Sequence, residues 1–198
     1  IAEKENQRLR KMLELKNRNP FNLIAAQVVG RDTDQVVNTL IIDAGSRDGV
    51  RKNMACASAD GLVGRIHEVY PTTSSIQIIA DVNSRVSAMV VEHEAYGIVS
   101  WDGGRYLRIY GLPLINEVKA GDKVYTSGLG DVFPAGILIG SITKAPLNEV
   151  EIYASYLVKP AVDFSKVHEL FVIQGSERPE IWDDGYGSGF FKRSKQLQ

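Results

Sequence analysis

Two stretches of the chain decide its fold: VRKNMACASADGLVGRI from Val50 to Ile66, and VKAGDKVYTSGLGDVFPAGILIGSI from Val118 to Ile142. In each, a Val and a basic residue lead into a tight turn at Asn53 or Gly121, and an apolar strand residue follows at Cys56 or Val124. Each closes on an apolar residue, Gly, a polar residue and Ile: Val63-Gly64-Arg65-Ile66 and Ile139-Gly140-Ser141-Ile142. The second stretch carries eight more residues in its central loop. A glycine inside a strand pattern marks a bend or a close approach of two backbones, as at a barrel corner. The pair therefore reads as two related β-units.

The flanking sequence extends the pattern. Val and Ile together number 37 against 15 Leu among 198 residues, an excess of β-branched side chains that suits pleated sheet and disfavours helix. Between residues 23 and 174 about twelve short strands are separated by turn-forming clusters. The structural turn and bend glycines expected from these clusters are Gly45, Gly49, Gly61, Gly64, Gly121, Gly128, Gly136 and Gly140. Boundaries near residues 69 and 144 leave six strands in a middle piece and six in the flanking pieces. The expected fold is mainly β: one six-stranded barrel from 20–68 and 145–175, and a second from 69–144 inserted into it. Closure of both removes exposed sheet edges. A sequential split near residue 104 is the simpler alternative.

Residues 1–19, IAEKENQRLRKMLELKNRN, contain strong helix formers and end at Pro20. Placing Asn6 at heptad position a puts Leu9 at d and Leu13 at the next a, the seam of a self-associating coiled coil, with Asn6 fixing the register; Lys16 breaks the seam at the following d. The alternative is that Leu9, Met12, Leu13 and Leu15 pack this helix onto its own domain. Residues 176–198 are polar and aperiodic and read as a flexible tail, with Trp182, Phe190 and Phe191 as its apolar anchors.

Function classes fall away on composition. With 23 basic and 24 acidic residues there is no basic face for nucleic acid. Cys56 is the single cysteine, and His67, His93 and His168 lack metal-ligand spacing, so neither metal nor cofactor is expected. No run of 18 apolar residues spans a membrane, but the chain opens at Ile1 inside a helical pattern, so an upstream segment with a membrane anchor is anticipated. His67, Asp81 and Ser127 follow the order of a chymotrypsin-like triad. Ser127, however, sits in TSGLGD rather than a GDSGG-type loop, His67 ends a strand, and Asp81 in ADVNS suits an Asx turn. A glycan-binding module would need aligned aromatics such as Trp101 with Tyr106, or Tyr153 with Tyr156. No catalytic residue is expected.

In order, ENQRLRKML, LIIDAGSRDGV, DGLVGRI, IIADVNSRVSAMV, GDKVYTSGLGDVFPAGILIGSI and HELFVI resemble the MreC family of bacterial rod shape-determining proteins, from about Glu5 to Ile173. DGLVGRI and VYTSGLGDVFPAGILIG are the most specific of these. The resemblance implies a single-pass anchor, a coiled coil and two six-stranded barrels on the extracytoplasmic side of the cytoplasmic membrane. It implies a non-enzymatic scaffold of the cell-elongation machinery that forms a homo-oligomer and partners MreD, MreB, RodA and the class B penicillin-binding transpeptidase. One departure is Asn53, where the family more often has Gly; Asn tolerates the left-handed conformation, so the turn should survive.

Overall fold

A computed structural model describes residues 22–32, 38–143, 148–150 and 152–174. The expected helix 1–19 and tail 176–198 lie outside the described residues. In chain order the strands are β1 (Asn22–Asp32), β2 (Thr39–Ile42), β3 (Ala55–Ala57), β4 (Leu62–Val69), β5 (Ser74–Ile78), β6 (Arg85–Val90), β7 (Ala95–Ser100), β8 (Leu107–Pro113), β9 (Lys123–Thr126), β10 (Leu138–Ile142), β11 (Asn148–Val150), β12 (Tyr153–Pro160) and β13 (Glu169–Gln174). Short 3-10 turns join some of them, and no α-helix occurs among the described residues.

The strands close into two six-stranded barrels. The first runs β1-β13-β3-β4-β5-β2. The second runs β10-β9-β6-β7-β8-β12 and closes through β10 against β12. The remaining strand, β11, pairs with the other stretch of the same β12 edge. The second barrel is thus inserted between β5 and β13 of the first, but its limits differ from those counted in sequence. Strand β5, expected in the inserted barrel, pairs with β2 and β4 of the first. Strand β12, expected in the first barrel, pairs with β8 and β10 of the second. Counting strands distributes twelve into six and six, but only long-range pairing decides which six.

The two rings share one register. Asn53 N–H donates to Ile66 C=O and Gly121 N–H to Ile142 C=O, each at 2.9 Å. Ile66 N–H then returns to Met54 C=O at 2.8 Å and Ile142 N–H to Asp122 C=O at 2.9 Å. Asn53 has φ 68 and Gly121 φ 100, so the asparagine holds the left-handed turn. Cys56 pairs with Gly64 as Val124 pairs with Gly140, and Gly64 pairs with Ile78 as Gly140 pairs with Pro160. On the other side Ala57 pairs with Phe171 and Phe171 with Ala25, as Tyr125 pairs with Met89 and Met89 with Tyr96. Hence β1, β2, β3, β4, β5 and β13 correspond to β7, β8, β9, β10, β12 and β6. The chain reads as one six-strand unit written twice, β1 to β6 and β7 to β13 without β11, with the sixth strand of each copy closing the barrel of the other.

Alternation fills each interior. Leu40, Ile42, Cys56, Ile66, Ile76, Leu170 and Val172 form the first core, and Val86, Val90, Val99, Leu107, Ile109, Val124, Ile139 and Val158 much of the second. Each such side chain contributes about 1.5–3 kcal/mol by leaving water. Ala57, Leu62 and Ile173 of the first barrel belong to the second cluster, so apolar packing is continuous across the junction.

Two glycines set the closest backbone approaches. A Cβ on Gly64 would lie 2.0 Å from the Gln77 carbonyl oxygen, and one on Gly140 2.1 Å from that of Lys159. Neither backbone can retreat without breaking its ladder. Gly64→Ala and Gly140→Ala should therefore each lower unfolding free energy by about 2–3 kcal/mol in denaturant titration. A loss below about 0.5 kcal/mol at either would contradict this close packing.

Candidate partner-docking site

The triad order does not become a triad. Asp81 is 1 % exposed. Its Oδ2 accepts from Asn38 N–H at 2.8 Å, and its Oδ1 from Gln77 Nε2 at 2.8 Å and Asn83 N–H at 2.9 Å. The carboxylate is thus the knot of an Asx turn linking β5 to β6. His67 lies on β4 beside a shallow surface depression lined by Arg51, Lys52, Glu68, Val69 and Tyr70. Ser127 Oγ accepts from Leu129 N–H at 3.3 Å at the start of the β9–β10 loop. The three groups serve three separate local structures and form no nucleophile, base and orienter chain.

Of the aromatic pairs, Tyr153 with Tyr156 forms no sugar platform. Tyr156 is 3 % exposed because it shares the inward parity of Ala154 and Val158. Tyr153 is exposed, and Trp101 donates its Nε1–H to Gly104 C=O at 3.0 Å within its own hairpin. Among the described residues no group of three His, Cys, Asp or Glu could hold a metal. Burial pushes the Cys56 thiol far above its usual range, so it is inert filling of the first core. Of the glycines expected at turns and bends, Gly49, Gly61, Gly121, Gly128 and Gly136 have positive φ, while a Cβ on Gly45, Gly64 or Gly140 would lie 2.0–2.4 Å from a carbonyl oxygen. Asn6, Leu9 and Leu13 lie outside the described residues.

What remains is an apolar cleft of about 190 Å³ at the junction. Leu23, Ala57, Phe171 and Ile173 line it from the first barrel, and Tyr125, Ile137 and Leu138 from the second. The Ser58–Gly61 turn forms its end, pinned where Gly61 meets the Leu138 carbonyl, 2.3 Å from where a Cβ would be. From the cleft an outward row runs across the second barrel: Leu138 on β10, Tyr125 on β9, Met89 on β6 and Tyr96 on β7. Burial, and secondarily the charge of Glu92, pushes the Tyr125 phenol above its ordinary value. Tyr96 and Ile98, two residues on, remain 49 % and 51 % exposed. Sequence reading missed this row because AYGIVS places apolar residues on both parities of β7, and only the ring shows that Ala95 and Val99 turn inward.

The description "Rod shape-determining protein MreC, barrel core" matches residues 28–174, most of the chain. The chain belongs to the MreC family. The Cell shape-determining protein MreC of Listeria monocytogenes is 32 % identical over 187 residues, covering 91 % of this chain and 63 % of its own length. The chain therefore spans less than two thirds of that relative. A solved MreC structure from the same organism superposes with a TM-score of 0.73 at 31 % identity, over 87 % of this chain and 85 % of that one. MreC in a complex with a penicillin-binding protein from Helicobacter pylori shares the fold, with a TM-score of 0.63 at 16 % identity over 78 % of this chain and 99 % of that one. The family is one of cell shape-determining proteins. No helix among the described residues is long and apolar enough to cross a membrane.

The burial of Cys56 gives a direct check. In the native protein a soluble thiol reagent should modify Cys56 only at the rate of global opening, and stoichiometrically once denaturant unfolds the chain. Rapid labelling without denaturant would contradict a filled first barrel.

Proposed function

We propose that the chain is the extracytoplasmic scaffold region of a cell-elongation complex. It holds a class B penicillin-binding transpeptidase in the assembly that maintains rod shape, through MreD, MreB and RodA as further partners. The observation that carries this reading is the family match across both barrels, supported by the penicillin-binding protein held by a relative of the same fold. The chemistry of the site agrees: an apolar cleft and an aromatic row suit the binding of side chains.

The helical pattern of residues 1–19 would add self-association. Asn6 and Leu13 at a and Leu9 at d would pair two copies, and a membrane-spanning helix upstream would tether the pair. Binding of the transpeptidase by one of its conformations in preference to another would then alter its activity by population shift.

Two measurements test this. The chain carrying Leu9→Asp with Leu13→Asp should sediment as a monomer where the unaltered chain sediments as a dimer or larger; an unchanged mass rejects the seam. Mixed with the purified extracytoplasmic region of the transpeptidase from its own organism, the chain should bind with a dissociation constant of about 1 μM or tighter, as expected for an interface of ordinary size. Absence of binding up to roughly 100 μM rejects the scaffold reading.

A further inference from the structure

The junction cleft is small, mostly apolar and acidic at one end. Its volume of about 190 Å³ lies below the roughly 300–1,000 Å³ of small-molecule sites and suits a single side chain. Phe171 and Tyr125 are the aromatic residues of its lining, and Leu23, Ile137, Leu138 and Ile173 complete the apolar wall. A further ring pairs favourably with such rings in offset or edge-to-face contacts. Among the described lining residues Asp60, exposed in the turn that ends the cleft, is the one carboxylate. The matching occupant is an aromatic side chain with a cation close behind it.

The chain itself carries one within reach. Strand β13 ends at Gln174, one residue past Ile173 of the cleft wall, and Ile173 is paired with Leu23 of the same wall. The sequence beyond β13 therefore sets out beside the cleft. It contains Phe190-Phe191-Lys192-Arg193, separated from Gln174 by 15 residues that include Gly175, Gly185, Gly187 and Gly189. A glycine-containing spacer of that length has an r.m.s. span of about 20–24 Å, ample for a return to its own origin, and holds its far end there at about millimolar concentration. In an extended stretch residues i and i+2 face the same way. Phe190 in the cleft thus carries Lys192 toward Asp60, whereas Trp182 would carry Asp184 there to meet like charge, and Tyr186 only Ser188.

We propose that Phe190 occupies the junction cleft of its own chain as a tethered latch, with Lys192 against Asp60 and Phe191 on the outer side. The proposal does not rest on the scaffold function above. One ring in the cleft meets Phe171 of the first barrel and Tyr125 of the second, so the latch bridges the two and withdraws their apolar wall from water. The exposed pair of Lys192 and Asp60 sets orientation more than strength. Any other apolar side chain that enters the cleft has to displace the latch, and its apparent affinity falls in proportion to the fraction of chains in which the latch is open.

The test reads methyl resonances of the full 198-residue chain by NMR. Phe190→Ser should shift the methyls of Leu23, Ile137, Leu138 and Ile173 through loss of the ring current, and leave those of Leu40 and Ile76 in the first core unmoved. Phe191→Ser, which removes the same ring one residue on, should leave all of them in place. Lys192→Glu should move the cleft methyls part of the way, and Asp60→Lys added to it should bring them back. A peptide of residues 186–198 added to the Phe190→Ser chain should restore the original positions with a dissociation constant of about 1 mM or tighter, the limit at which a tethered end stays bound. The substitutions at 190–192 lie beyond the last strand, so the fold of the barrels is not at stake. Unmoved cleft methyls in Phe190→Ser overturn the latch, and movement on Trp182→Ala, Tyr186→Ala or Leu15→Ser instead assigns the cleft to those segments. Equal shifts from Phe190→Ser and Phe191→Ser overturn the placement of Phe190 and Lys192 on one side. Shifts toward the Phe190→Ser positions when the unaltered chain is diluted also overturn it, and assign the cleft to the tail of a second copy.

Discussion

Each barrel is closed by a strand that follows the wrong half of the chain. Strand β6 ends the first copy of the six-strand unit yet completes the second ring between β9 and β7, and β13 ends the second copy yet completes the first ring between β3 and β1. Because β13 arrives only after the whole second barrel has been traversed, the first ring depends on contacts more than 100 residues apart in sequence, such as Ile24 with Val172. Such closure carries a loop entropy that only the buried interior offsets. It also ties the barrels to each other: Ile173 at the end of β13 packs with the second core, and Phe171 lines the cleft between them.

This constraint shapes what the surface can do. The two closed rings pair the backbone of their twelve strands, leaving β11 at a sheet edge among the described residues, so that on the rings themselves recognition falls to side chains. Within that arrangement the two copies diverge on one side. The first barrel carries a short Ser58–Gly61 turn and Ala25, Gln27 and Val29 on the outer face of β1, whereas the second carries the longer loop with Leu129 and the pair Tyr96 and Ile98.

Much of this was legible in the sequence, for physical reasons that can be named. Gly64 and Gly140 were readable as close approaches because a strand tolerates glycine poorly unless a neighbouring backbone requires the space, and Gln77 and Lys159 do. Asn53 was readable as a tight turn because its partner position in the repeat holds Gly121, and φ is positive at both. The limits of the barrels were not legible: β5 and β12 have the same local pattern as their neighbours, and only pairing with β2 and β8 assigns them. Tyr156 was misjudged as a possible platform although its parity with Ala154 and Val158 already turned it inward. The row through Tyr96 escaped notice because both faces of β7 are apolar, so alternation carried no information.

The most direct test of the account is native-state hydrogen exchange along the full chain. If strand exchange closes the rings, the amides of Leu170–Ile173 should open with the same free energy as those of β3, and the amides of Val86–Val90 with those of β7 and β9. Opening of β6 together with β1 to β5, and of β13 together with β7 to β12, would mean that the chain divides sequentially and would contradict the exchanged closure.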